Sequence, residues 1–184
     1  MPREDPALTT LWIGTSDELT AEELAALRAV FGAAWREPMS DEDWAHMLPA
    51  VHFLLKAEGE IASHAAVVKR ELHVGAHRLS TGYVENMATR PELQGRGFGT
   101  RVLRAVEEHI AAVYELGALD TSRPAFYERH GWRVWRGPIS VRTEGGPVRT
   151  PEEEGAVMVF LTPTSPPLDL GAPISCEWRP GDVW

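Results

Sequence analysis

Cysteine is nearly absent from this 184-residue chain: the single Cys176 cannot close an internal disulfide, so no disulfide framework supports the fold. Long apolar runs are missing too, which excludes a spanning helix, and the N-terminal stretch carries no apolar segment with a cleavage site. Positive charge is scarce. With 18 Lys plus Arg against 27 Asp plus Glu, the net charge is −9, which argues against nucleic acid and against an anionic membrane surface, since both need clustered basic residues. A cationic partner fits better, and a cytoplasmic enzyme is the expected class. The 7 histidines do not form a zinc pattern: His73 and His77 flank a hairpin turn without a ligand set at zinc spacing, so no metal is expected.

What is present is enough for one core. At 184 residues and 43% hydrophobic composition, the chain is expected to form a single domain over 1–184. Its last nine residues, Cys176-Glu177-Trp178-Arg179-Pro180-Gly181-Asp182-Val183-Trp184, hold two tryptophans where a fraying end would gather polar filler. The tail from 174 to 184 is therefore expected to dock, either capping an apolar groove or placing Asp182 and the Trp184 carboxylate where they bind a cation.

Strand and helix patterns alternate along the chain. Thr9 to Ile13 predicts a strand, and Ser16 to Trp35 a helix with Leu19, Leu24, Leu27, Val30 and Phe31 on one stripe. A short helix follows, capped by Ser40 or Asp41. Val51 to Ala57, Ile61 to Leu72 and Arg78 to Thr89 then predict an antiparallel meander turning at Glu58-Gly59-Glu60 and across Gly75. Phe98, Val102, Leu103, Val106, Ile110, Val113 and Tyr114 recur at helical spacing. Gly117 is expected to end that helix, with a strand over Ala118 to Thr121 and a helix from Pro124 through Arg129, stopped by Gly131. Trp132 to Thr143 predicts one strand, Glu144 to Gly155 a polar loop, Ala156 to Leu161 another strand, and Thr162 to Pro173 an extended connector.

The turn Gln94-Gly95-Arg96-Gly97-Phe98-Gly99 lies between a predicted strand and an amphipathic helix. Glycines there let the backbone turn tightly and aim successive N–H groups at an anion, and the helix N-terminus adds partial positive charge. The turn lacks the Lys-Ser/Thr of a nucleotide P-loop and the acidic partner of a dinucleotide fold. It matches instead the Gln/Arg-x-x-Gly-x-Gly/Ala turn of the GNAT acetyltransferase superfamily, which the chain also resembles in strand order. That resemblance implies an α/β (α+β) GNAT fold, a single mixed, mostly antiparallel sheet splayed at an acetyl-CoA cleft with helices on both faces. It also implies that the turn binds the pyrophosphate of acetyl-CoA.

Within that superfamily the chain resembles the aminoglycoside 2′-N-acetyltransferases. The likeness is carried by Ala62-Ser63-His64-Ala65-Ala66-Val67-Val68, Gly82-Tyr83-Val84-Glu85, Tyr114-Glu115-Leu116-Gly117-Ala118-Leu119, Arg149-Thr150-Pro151-Glu152-Glu153-Glu154-Gly155 and Trp178-Arg179-Pro180-Gly181-Asp182-Val183-Trp184. It implies direct acetyl transfer to an amine of an amino sugar in a ternary complex, conferring antibiotic resistance, with a homodimer as the expected assembly. An ammonium must lose a proton before it can attack a thioester, and the resemblance puts that task on Glu85, as base or as ammonium anchor. Tyr127 matches the general-acid tyrosine that protonates the leaving thiolate. The resemblance places the backbone N–H groups that meet the oxyanion on Met87, Ala88 and Thr89. Glu152, Glu153, Asp182 and Trp184 match the acidic acceptor subsite, Glu153 being favoured within its run, because ammonium groups call for carboxylates.

Two acceptor-facing positions depart from the family: Asn86 stands where a small residue is usual, and Asp120 stands where serine follows Gly117-Ala118-Leu119. The loop from Trp35 to Asp43 is longer than in the family, leaving its acidic contact open among Glu37, Asp41 and Asp43. A smaller amino-sugar antibiotic such as kasugamycin is therefore an alternative acceptor to gentamicin or tobramycin. A GNAT acting on a polyamine or a protein amine would keep Glu85, Tyr127 and the turn but leave the tail unexplained. A non-catalytic acyl-CoA-binding module would need neither catalytic group. A covalent relay through Cys176 is disfavoured, because no histidine pairs with it in sequence.

Overall fold

The computed structural model describes residues 9–36 and 38–184, so Glu37 lies outside the described residues. The chain divides into two compact units, the first built from the described residues up to Val68 with Val84–Val106, the second from Lys69–Tyr83 with Glu107–Trp184.

In the first unit, β1 (Thr9–Thr15) pairs antiparallel with β2 (Ala50–Ala57), which pairs antiparallel with β3 (Glu60–Val74) from Ala50↔Val68 to Ala57↔Glu60. Helix α1 (Ala21–Trp35) starts later than the sequence pattern suggested. Ser16–Glu18 is a separate 3-10 turn, and Thr20 caps the helix, its hydroxyl accepting from Glu23 N–H at 3.2 Å while the Glu23 carboxylate accepts from Thr20 N–H at 3.0 Å. This reciprocal box satisfies two otherwise orphaned backbone donors. Helix α2 (Asp41–His46) has Ser40 as its cap, the hydroxyl accepting from Asp43 N–H at 3.0 Å. From Ile61 to Val68 every residue of β3 is buried, as expected for a strand covered on both faces. Leu27, Phe53, Leu54, Leu55, Ala62 and Ala65 are fully buried in this unit.

Strands β3 and β4 (His77–Thr89) run through both units, as does α3 (Phe98–Val113). Beyond Val68, β3 alternates, with Lys69 and Glu71 exposed and Arg70 and Leu72 buried. The second unit adds β5 (Leu116–Asp120), α4 (Pro124–Glu128), β6 (Arg133–Val134), β7 (Ile139–Thr143), β8 (Gly146–Arg149), β9 (Val157–Leu161) and β10 (Ile174–Glu177). Its strands hydrogen-bond in the order β6-β9-β5-β4-β3-β10-β7-β8. The β4–β5 and β10–β7 pairs are parallel, and β5–β9, β6–β9, β10–β3 and β7–β8 are antiparallel, giving the mixed, mostly antiparallel sheet of a GNAT fold.

Several sequence expectations fail here for local reasons. Gly117 does not end α3; it sits inside β5 opposite Phe160, and a Cβ there would lie 3.0 Å from Phe160 and 3.2 Å from Ile110, so the glycine serves close packing. The single strand expected over Trp132 to Thr143 is split into β6 and β7. Between them the backbone leaves the ladder, since Arg136 and Gly137 N–H both donate to Leu170 O at 3.0 Å and the Trp135 indole donates to Ala172 O at 2.9 Å. The loop expected over Glu144 to Gly155 contains β8 and a 3-10 turn at Pro151–Glu153. The tail begins as a strand, β10, and of its two tryptophans only Trp184 is buried (2% exposed), whereas Trp178 is 59% exposed.

Candidate active site

The residues singled out in the sequence fall into two sets, one in each unit. In the first, Glu85, Asn86, Met87, Ala88 and Thr89 form the last part of β4, and Gln94 to Gly99 the turn into α3. Glu85 is buried, 8% exposed. Asn86 adopts φ 52, the left-handed region, inside a strand, and its side-chain Nδ2 is buried without a hydrogen-bond partner among the described residues. Such an irregularity re-aims the side chains and amides on either side of it.

Ser63 ties the end of β4 to β3, donating to Ala88 O at 3.0 Å and lying 2.8 Å from Thr89 Oγ1. The Gln94 side-chain amide donates to Thr89 O at 3.2 Å, so strand end and turn are linked directly. Gly95 and Gly97 have φ 78 and 86, and a Cβ at either would meet nothing within 4 Å. The glycines are thus required by backbone conformation, and the space over them is open. Gln94 to Gly97 are exposed, while Phe98 is buried and serves the core with its ring. Successive amides opening a 16-residue helix, with Arg96 beside them and open space above, fit an anionic pyrophosphate.

The second set gathers carboxylates. Asp120 ends β5, Glu153 ends the 3-10 turn begun by Pro151 and Glu152, and Asp182 lies in the tail. Partial burial and the repulsion of Asp182 push the Asp120 carboxyl above its usual range, against a lowering hydrogen bond from the Thr121 amide. Burial, then Asp120, Asp182 and Glu152, raise Glu153 likewise. Asp120 Oδ1 is buried without a hydrogen-bond partner. Asp120 and Glu153 thus lie in a negative potential to which Asp182 and Glu152 contribute, and which a cation relieves. Tyr127 on α4 is buried, and desolvation, reinforced by Asp120 and opposed by Arg123, pushes its phenol well above the ordinary range, so it stays protonated.

The tail that carries Asp182 is held by Trp184 and by Arg70, which the sequence reading did not single out. Arg70 Nε donates to Glu177 Oε1 at 2.8 Å, and its Nη2 donates to Val183 O at 2.8 Å and Glu177 O at 3.2 Å. Its guanidinium carbon lies 4.6 Å from the Tyr83 ring centroid. The Trp184 indole donates to Thr150 Oγ1 at 3.1 Å, linking the chain end to the segment just before Glu152 and Glu153. A charged residue at an inward position of an alternating strand was the available signal for Arg70. Cys176 is buried, its thiol pushed up to about 11 by desolvation and its Sγ donating to Val183 O at 3.3 Å, which suits packing rather than nucleophilic attack. Among the described residues no group of three or more His, Cys, Asp or Glu could hold a metal ion, and no helix is long and apolar enough to cross a membrane.

Comparison with known proteins adds a family. The model of an acetyltransferase (GNAT) domain matches residues 15–135. The aminoglycoside 2′-N-acetyltransferase of Mycolicibacterium fortuitum is 39% identical over 181 residues, covering 96% of this chain and 92% of that protein. Among solved structures, Escherichia coli ElaA superposes with a TM-score of 0.59 at 17% identity, over 82% of this chain and 98% of its own. A GCN5-related N-acetyltransferase from Kribbella flavida gives a TM-score of 0.59 at 17% identity; the match covers 73% of this chain and 36% of that longer one. At such identities both structures speak for the fold.

Proposed function

The chain belongs to the aminoglycoside 2′-N-acetyltransferase family of the GNAT acetyltransferases, and from that premise we propose that it acetylates the 2′-amine of an aminoglycoside or a related amino-sugar antibiotic. The observation that carries the choice of acceptor is the carboxylate set Asp120, Glu153 and Asp182, in which the charge of Asp182 raises the other two and Asp120 raises Glu153 further. A ligand bearing several ammonium groups matches that deficit of positive charge, and charge-assisted hydrogen bonds to carboxylates supply both affinity and orientation.

Acetyl-CoA supplies the acyl group. Its pyrophosphate is to be held by the amides of Gln94 to Gly99 and the α3 N-terminus, supported by their open, glycine-shaped backbone. Glu85 accepts the proton lost when the acceptor ammonium becomes an amine, directly or through water, or anchors that ammonium. The N–H groups of Met87, Ala88 and Thr89 meet the negative charge that grows on the acyl oxygen. Tyr127, protonated throughout the working range, gives its proton to the departing thiolate. A carbon–nitrogen bond forms and the carbon–sulfur bond breaks; of the two protons the acceptor nitrogen loses, one passes to Glu85 or to water beside it and on to solvent, and the other, by way of water, restores the proton that Tyr127 gives to the thiolate. Asn86 and Asp120, where the family carries other residues, join Glu152, Glu153, Asp182 and Trp184 in selecting the acceptor. We place this activity in the cytoplasm, in a homodimer.

The test is coenzyme A release from acetyl-CoA against gentamicin, tobramycin, kasugamycin, kanamycin A, which has a 2′-hydroxyl, and spermidine. Turnover confined to acceptors with a 2′-amine is expected. Turnover with spermidine alone, or with none of the panel, sinks this reading.

A further inference from the structure

A line of polar groups crosses the apolar core of the first unit and ends at the backbone beside Glu85. His52 and His64 are both 0% exposed. His64 Nδ1 lies 3.0 Å from Asn86 O, His64 Nε2 lies 3.0 Å from His52 Nδ1, and His52 Nε2 lies 2.8 Å from Ser16 Oγ. Phe31 packs edge-on to the His64 ring at 5.2 Å. Two buried imidazoles in series are costly unless every nitrogen is matched, and here each one is.

One backbone atom fixes the whole order. A carbonyl oxygen only accepts, so His64 carries its proton on Nδ1 and offers a lone pair at Nε2. His52 must then donate from Nδ1 and accept at Nε2; the Ser16 hydroxyl, 2.8 Å away, gives its one proton there in preference to Ala50 O at 3.3 Å and Met47 O at 3.5 Å, and its oxygen accepts from Ala50 N–H at 3.1 Å. Because the line ends on a carbonyl, it cannot pass a proton onward, so it is no relay. Burial holds His52 near 4 and His64 near 3, and both rings stay neutral at working pH. A proton added to His64 would set its Nε2–H against the Nδ1–H of His52, and one added to His52 would enter at Nε2 and turn the Ser16 hydroxyl away.

The target of this line is a strained residue. Asn86 has a φ of 52, a conformation that costs a non-glycine residue about 1 kcal/mol or more and persists only under outside restraint. Its carbonyl belongs to the same planar peptide unit as the N–H of Met87. A hydrogen bond to that oxygen therefore fixes the direction of the Met87 N–H and, by polarising the peptide, makes it a stronger donor. We propose that His64, held in its Nδ1–H tautomer by His52 and Ser16, is a positioning residue that aims and strengthens the Met87 N–H for acetyl transfer. This rests on the reading above that the Met87 amide meets the acyl oxygen.

The imidazole nitrogens can be replaced one at a time. His64→Asn puts an amide nitrogen where Nδ1 stands, and His64→Gln puts one where Nε2 stands. In His64→Gln, kcat is expected to fall about 10- to 100-fold while acetyl-CoA affinity stays within about twofold, because orientation at the reacting atoms is lost and cofactor contacts are not. The Met87 amide proton resonance should move upfield in the same variant. His64→Asn should recover most of both. Ser16→Ala, which leaves the core volume nearly intact, should lower kcat about threefold by leaving His52 Nε2 without its donor, and keeps the test open if the His64 variants fail to fold. Equal kcat losses in Asn and Gln variants, an unmoved Met87 resonance in His64→Gln, or wild-type kcat in Ser16→Ala each overturn the proposal. If the wild-type protein acetylates nothing in the panel, the functional reading fails by itself, and the Met87 resonance still decides whether His64 sets that amide.

Discussion

Tyr127 shows how a side chain's surroundings select its role. A phenol half in water could give or take a proton; one buried beside Asp120 is driven toward the neutral form, so donation is what it has to offer. Tyr127→Phe removes only the hydroxyl and leaves the ring that packs edge-on against Trp132 at 5.9 Å. We expect kcat to fall by about two orders of magnitude with acetyl-CoA affinity unchanged, the pattern of a group used in the transition state and not in binding. Calorimetric titration of acetyl-CoA beside steady-state turnover checks this, and unchanged turnover removes Tyr127 from the chemistry. At this scale the sequence was informative where a residue's identity carries its chemistry, as for Glu85, Tyr127 and the glycines of the turn. It was silent where chemistry depends on company. Nothing in the spacing of Ser16, His52 and His64, on three separate elements, announces that they line up on Asn86.

Elements were legible where a single period governs them. Strand β3 and helix α3 follow their patterns to within a few residues, since burial on one face or both writes a continuous signal into the chain. The split between β6 and β7 was not legible, because it is made by the segment from Leu170 to Ala172, far along the sequence, taking the hydrogen bonds of Arg136, Gly137 and Trp135. The tail is the same kind of case. Its docking was readable from Trp184, whereas Trp178 stays in solvent, and its clamp is Arg70, whose side chain is 3% exposed and bonds Glu177 and Val183. Arg70→Leu should cost about 2 kcal/mol in urea denaturation, below the roughly 3–5 kcal/mol of a fully buried pair because Glu177 keeps 42% of its side chain exposed. Deleting Val183 and Trp184 should raise KM for the acceptor about tenfold and leave acetyl-CoA binding intact, since charge-assisted contacts with acceptor ammonium groups depend on where Asp182 is held. An unchanged acceptor KM in the deletion assigns the tail a purely structural part.

The molecule as a whole carries its buried histidines as a liability toward acid. In the unfolded chain His52 and His64 bind a proton near the ordinary imidazole value of 6.5, while in the folded protein they do so only near 4 and 3. Between those limits the unfolded state takes up protons that the folded state refuses, so stability falls as pH drops below about 6.5, by at most about 1.4 kcal/mol per pH unit for each histidine. His109, also lowered by burial, adds in the same direction. Glu71, held near 2 by Arg78 and His73, adds its own loss only as pH falls through the carboxylate range and below it, and the raised Asp120 and Glu153 oppose the trend. The window from pH 7.5 to 6 therefore weighs the histidines most heavily, because it lies nearest the ordinary imidazole range and farthest from the carboxylates. Urea midpoints across it should decline for the wild type and decline less for the His52→Gln/His64→Asn double variant, which has lost two of the three histidines that burial holds back from protonation. Parallel slopes would mean that the pair is protonated in the folded protein as readily as in the unfolded chain, and that its neutral, fixed tautomers do not exist at working pH.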